Sequence, residues 1–207
     1  CRSAYRLPGA MIDSILLRKR MARAVEKRGV DVIRGKVTDL ESQDSRISGV
    51  VLENGEPVTA DTVLVCTGVW SKALGDLLGL DVDVIPVKGH VARFQIEDGF
   101  LKHVLHSSEV RLGPRRGKGI VVGATIEFVG FDQKVVDEVV TNLCNNAAKY
   151  VPPLWEHELV DSSYGFRPKL PDGDPVMGWS SKIENLMVAT GHFQNGILLS
   201  PITGKIM

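Results

Sequence analysis

The chain has no net charge: its 25 lysines and arginines are matched by 25 aspartates and glutamates. That balance removes the electrostatic case for a nucleic-acid partner or an acidic membrane surface, and leaves a small molecule as the expected ligand. Cysteine is scarce. Cys1, Cys66 and Cys144 show no CxxC spacing, which argues against a disulfide scaffold and suits free thiols in a reducing compartment, hence a cytoplasmic protein. No apolar run approaches the ~20 residues of a membrane span, and no charged-then-apolar leader opens the chain. His90, His103, His106 and His157 lack tight ligand spacing, so no metal site is expected. Internal repeats and low-complexity tracts are missing too. No GxGxxG opens a strand-turn-helix near residue 1 and no GxxxxGK[ST] occurs anywhere, so the usual ways of holding a dinucleotide are excluded for this chain alone.

What is present is a globular composition, 43% hydrophobic and 24% charged over 207 residues, enough for one large domain or two small ones. Asp13 is placed to cap a helix carrying Leu17, Met21, Ala24 and Val25 on one face, with Gly29 ending it. Residues 30–34, 36–41 and 47–52 read as short strands, and Asn54-Gly55 as a hairpin turn before a strand over 57–60. The run 62–66 reads as a strand buried on both faces, ending at Thr67-Gly68. Ser71 is expected to cap a short helix closed by Gly79. Strand-like segments follow over 84–88, 91–96, 101–106, 110–112 and 120–124, then a helix over 133–150 stopped by Pro152-Pro153. A strand over 159–164 leads to an arginine loop, a short strand over 185–189 to a glycine loop. The last helix takes its stripe from Leu198, Leu199, Ile202 and Ile206, with Ser200-Pro201 as cap and first-turn proline, or an earlier start.

Chemistry concentrates near the C-terminus. Arg167, between turn-formers, offers a planar fork matching a carboxylate; the alternative is a structural arginine paired with Asp172 or Asp174. Gly191 and Gly196 bracket a loop where backbone can approach a flat ligand and a helix start offers N–H groups, or they merely turn a strand into a helix. His192 reads as a base or, more simply, as a hydrogen-bonded structural group. Thr67-Gly68-Val69-Trp70-Ser71 could pass a cofactor's phosphate or ring, or be a turn anchored by Trp70. Arg115 to Gly119 reads as a solvated hairpin tip rather than a phosphate cradle.

Five segments resemble, in order, the landmarks of one family: residues 60–71 (ADTVLVCTGVWS), 85–90 (IPVKGH), 122–125 (VGAT), 165–168 (GFRP) and 191–199 (GHFQNGILL). They are similar to the FAD-dependent D-amino acid oxidase family, in its glycine oxidase-like branch. The resemblance implies an α/β, mixed α+β, fold in which an FAD-binding domain is interleaved with a substrate domain built on a large mixed β-sheet. Residues 1–84 and 166–207 would be parts of the former, and 85–165 the latter. It also implies that the chain is a C-terminal portion of a longer flavoenzyme, as its two ends suggest, and that alone it holds FAD weakly or not at all and is inactive.

The implied reaction oxidises the amine of a small amino acid of the glycine, sarcosine or D-amino acid type to an imine. Arg167 matches the family's carboxylate-binding arginine. Gly191, His192, Gln194, Asn195, Gly196, Ile197 and Leu198 match the segment along the flavin's pyrimidine edge. Thr67, Gly68 and Trp70 match the turn under the cofactor, and Val37 lies in the strand touching its adenine side. Two positions depart from the branch. Arg111 stands where a tyrosine is common, offering a grip on a second carboxylate and counting against glycine as substrate, and Gln194 stands where an arginine is common. Two alternatives stay open: a dehydrogenase of the same fold using a non-oxygen acceptor, and a carboxylate-binding module without redox chemistry. A homo-oligomer is compatible with either.

Overall fold

Helix α1 (Ser14–Glu26) begins where the sequence provides a cap: the Asp13 carboxylate accepts from the amides of Ile15 and Leu16, at 3.1 and 3.0 Å. It ends as Gly29 N–H returns to the Glu26 carbonyl. The computed structural model describes Tyr5 and residues 10–77 and 82–207; the expected stop at Gly79 lies outside them. The chain divides into two compact units.

The first unit takes the described residues through Val32 together with Lys88–Glu127 and Asp132–Gly165. Its framework is a five-stranded sheet in the order β6 (Leu105–His106), β7 (Arg111–Pro114), β8 (Ile120–Gly123), β5 (Ile85–Gln95) and β9 (Glu158–Lys169). β6–β7, β7–β8 and β8–β5 pair antiparallel, and the register sets Leu112 and Ala92 on either side of Val122. All three are fully buried and pack with Val140, Leu143, Cys144 and Ala147 of α3 (Asp137–Ala148). Alternation in the strands and 3.6-residue spacing in the helix thus meet in one core, worth ~1.5–3 kcal/mol per large side chain.

α3 is shorter than the 133–150 spacing predicts, because residues before Asp137 bond elsewhere. The Lys134 carbonyl accepts from Lys88 Nζ at 2.6 Å, and Val136 N–H donates to His90 Nε2 at 3.1 Å. Lys88 and His90 are fully buried on β5. Lys88 reaches Asp132 at 2.7 Å and His90 Nδ1 reaches Glu127 at 2.8 Å. Since Nε2 accepts a backbone amide, the ring proton sits on Nδ1 and is given to Glu127. The predicted strand over 101–106 shrinks to β6. The basic turn is not merely solvated: Arg115 binds Asp13 at 2.9 Å and is largely buried, and Lys118 joins at 3.3 Å.

The second unit takes Ile33–Val87, Phe128–Phe131 and Phe166–Met207. β1 (Val37–Gln43), β2 (Arg46–Leu52) and β3 (Pro57–Thr59) form an antiparallel sheet, with the Asn54-Gly55 turn where predicted. Residues 30–34 form no strand: Val30, Val32 and Ile33 are exposed, and this β-branched run finds no strand to pair with. A second sheet runs β10 (Val176–Trp179), β11 (Leu186–Thr190), β4 (Val63–Val65), antiparallel then parallel. Asn185 ties the two together. Its side chain accepts from the Ile47 amide and donates to the carbonyls of Ile47 and Asp61. β4 is not buried on both faces: it lies at the edge of its sheet, with Leu64 47% exposed and only Val65 in the core beside Ile47, Leu186 and Val188.

α4 (Gly196–Ile206) starts five residues before Pro201, which lies inside it rather than in its first turn. Proline supplies no amide for the carbonyl four residues back, and Ser200 Oγ takes that place, donating to the Ile197 carbonyl at 2.8 Å. Among the described residues no helix is long and apolar enough to cross a membrane.

Candidate functional site

The parallel pair β4 and β11 aligns Val65 with Val188, so the two strands end side by side and hand over to Thr67-Gly68 and Gly191. Loops leaving the carboxyl ends of adjacent parallel strands are where α/β folds present ligand-binding backbone. Here the two loops are joined by hydroxyl groups. Thr190 Oγ1 donates to the Gly68 carbonyl at 3.1 Å, Ser71 Oγ donates to Thr190 Oγ1 at 2.9 Å, and Thr67 and Ser71 hydroxyls are 3.1 Å apart. Ser71 and Thr190 are buried. Ser71 is therefore not the helix cap expected from sequence: α2 (Ser71–Leu77) starts at Ser71 after a short 3-10 turn over Gly68–Trp70, and the hydroxyl is used across the sheet.

Gly191 is required at its position. Its φ is +83°, and a Cβ there would lie 2.6 Å from Leu170 Cδ1 and 3.4 Å from the Pro175 backbone. Phe193 follows with φ +46°, unusual for a bulky residue, and is fixed there by its N–H, which donates to the Pro168 carbonyl at 2.8 Å. Lys169 and His192 form a further bridge. Arg167 and the glycine loop are thus held together within the second unit. Arg167 stands on β9, not in a loop: the strand runs on to Lys169 before the turn at 170–173. It is half-buried.

His192 Nε2 and Thr203 Oγ1 of α4 share a hydrogen bond of 2.9 Å, which makes His192 a brace between loop and helix. Asn195 N–H closes the loop on the His192 carbonyl at 2.9 Å, and its side chain does not cap α4. The first amides of α4, at Gly196, Ile197 and Leu198, therefore keep donor capacity, with the positive end of the helix dipole behind them. Gln194, Ile197 and Leu198 are exposed, Leu198 at 78%. Trp70 is exposed rather than an anchor in the core, stacking on Phe131 at 6.4 Å; Phe131 also meets Phe166 edge-on at 5.6 Å. Val37 opens β1 and is exposed.

Arg111 belongs to the first unit. It is exposed on β7, and its Nε donates to His106 Nε2 at 3.0 Å, which orients the guanidinium. Sequence reading assigns Ser71 a capping role instead of the cross-sheet one and singles out neither Thr190 nor Phe131. The first two carry a readable signal: a hydroxyl four residues after Thr67 and another directly before Gly191.

A glycine loop and a helix start at the ends of parallel strands, with an arginine strand bonded to the loop, define a mixed α/β protein with a candidate ligand edge at those strand ends. The whole chain, residues 1–207, matches the FAD dependent oxidoreductase family (DAO), and the protein belongs to that family. It is 33% identical over 203 residues to the bifunctional protein ThiO/ThiG of Nostoc sp., covering 96% of this chain and 30% of that protein. To the glycine oxidase of Geobacillus kaustophilus it is 35% identical over 174 residues, covering 83% and 45%. Among solved structures, glycine oxidase from Bacillus cereus superposes with a TM-score of 0.84 at 32% identity, over 91% of this chain and 53% of that one. Iminodiacetate oxidase from Chelativorans gives 0.86 at 26% identity, over 93% and 53%. The chain thus spans between 30% and about half of the length of these relatives.

The residues present fit the ring end of FAD. Gly191 offers backbone without a side chain, and the uncapped start of α4 offers donors beside it. They do not supply the dinucleotide end, for which the chain has no glycine fingerprint.

Proposed function

We propose that this chain provides the flavin-ring edge and the substrate-carboxylate grip of an FAD-dependent oxidoreductase acting on the amine of a small amino acid. The observation that carries the proposal is the bond from Phe193 N–H to the Pro168 carbonyl, which sets Arg167 and the glycine loop in one place. When bound, the flavin supplies the acceptor for the hydride that leaves the substrate's α-carbon as the amine becomes an imine. Arg167 takes the substrate's carboxylate on its planar fork and so orients the α-carbon. The amides and dipole at the start of α4 favour negative charge along the ring edge. The second unit is assigned to the cofactor and the first to substrate selection.

Arg111 is assigned to a second carboxylate, on its exposure and on the orientation His106 gives it. The name of iminodiacetate oxidase, a relative of the same fold, fits an amine that carries two carboxylates. The test is steady-state kinetics of the intact, flavin-loaded protein with neutral and acidic amino acids. Arg167→Lys is expected to raise KM for every substrate by roughly tenfold to a hundredfold, and Arg111→Ala to raise it only for acidic ones. Equal turnover of acidic substrates by Arg111→Ala would remove the second assignment, and unchanged KM in Arg167→Lys the first.

A further inference from the structure

The five-stranded sheet of the first unit has two faces, and α3 covers one of them. Leu112, Val122 and Ala92 turn into that core, so their neighbours along each strand point the other way. The register sets those neighbours in two rows: Arg111 beside Gly123 beside Val91, and Gly113 beside Val121 beside Arg93. Arg93 gives its guanidinium to Asp161 and Ser163. That pairing sets it apart from Arg111, the cation of this face assigned above to a ligand.

Around Arg111 the face is apolar. Gly123 leaves the adjacent position bare, since a Cβ there would lie 2.9 Å from Val91 Cγ1. Gly113, about 7 Å along the strand from Arg111, is covered by Met11: the sulfur and methyl of that side chain stand where its Cβ would be, the methyl at 2.8 Å. Met11 is held in place because Asp13, two residues later, is tied to Arg115 and Lys118 at the β7–β8 turn. It is nonetheless 41% exposed, so part of the side chain rests on the sheet and part stays open. We infer that Met11 is a specificity-determining residue: its thioether and Val91 flank the approach to Arg111 and select amines whose second carboxylate ends a hydrocarbon chain. A hydroxyl or amide within that chain would lose water against groups that offer it no strong hydrogen-bond partner. The inference rests on the second-carboxylate reading of Arg111.

Steady-state kinetics of the intact, flavin-loaded protein with D-2-aminoadipate and sarcosine test this through the ratio of the two kcat/KM values. Met11→Gln keeps the length of the side chain but makes its end polar, and is expected to lower the ratio roughly fivefold to tenfold. Met11→Leu, similar in volume and still apolar, is expected to hold it within about twofold. Arg111→Ala is expected to lower it further than Met11→Gln. A ratio unchanged in Met11→Gln but lowered in Arg111→Ala overturns the inference and leaves the second-carboxylate reading standing. A ratio that falls as far in Met11→Leu as in Met11→Gln does the same, since apolar contact would then not be the cause. A ratio unchanged in Arg111→Ala, or a wild type that does not turn over D-2-aminoadipate, overturns both.

Discussion

The carboxylate of Asp13 lies 2.9 Å from the guanidinium of Arg115, 102 residues away in sequence, while the same carboxylate caps α1 through the amides of Ile15 and Leu16. One side chain thus starts a helix and fastens it to the β7–β8 turn.

The Leu16 amide first, and then Arg115, hold the Asp13 carboxyl well below the usual carboxylate range. A depressed pKa means that the group remains ionised in the folded protein where an unfolded aspartate, with a pKa of about 3.9, takes up a proton. Its contribution is therefore complete above that value and is lost as pH falls toward the folded pKa. Asp13→Asn keeps a cap but loses the ion pairs, and Asp13→Ala loses both. Urea midpoints at pH 7 should fall in the order wild type, Asn, Ala, and the gap between wild type and Asn should close on acidification.

His90 is fully buried and satisfies Glu127 on one side and the Val136 amide on the other. Burial pushes the Glu127 carboxyl up, but hydrogen bonds from Thr125 and His90 outweigh it and leave it below its ordinary value. His90→Ala opens a cavity and strands both partners, so urea unfolding should register a loss of about 2–4 kcal/mol. His90→Gln should recover part of it.

Gly191→Ala meets both a positive φ and the side chain of Leu170. The expected cost is about 1–3 kcal/mol in denaturant unfolding. Flavin affinity should fall with it, because the loop must shift away from Leu170. An Ala variant as stable as the wild type would show that the loop is looser than these contacts require.

The two described thiols should differ in reactivity. Cys144 is fully buried against the sheet, and burial pushes its pKa up to about 11. Cys66 is exposed, with its pKa raised by partial burial. At pH 8, iodoacetamide followed by peptide mass spectrometry should find Cys66 modified and Cys144 intact until the protein is unfolded.

Local chemistry determined much of this protein from the sequence alone. The Asp13 cap, the Asn54-Gly55 turn, β4 and β11, and the glycine loop depend on residues within a few positions of one another, where spacing and conformational preference suffice. The landmark segments, in their order, pointed to the family. The tertiary structure decided whatever depends on a distant partner. Residues 30–34 have strand propensity but no strand to pair with, and α3 starts late because Lys88 and His90 bond to the residues ahead of it. Arg167 became a strand residue through the pairing of β9. Pro201 is tolerated inside α4 because Ser200 serves the carbonyl it leaves unmatched. The hydroxyls of Thr67, Ser71 and Thr190 meet only because β4 and β11 pair in parallel across more than a hundred residues of sequence. A hydrogen-bonded network of that kind exists only in the folded chain, and no single segment of sequence contains it.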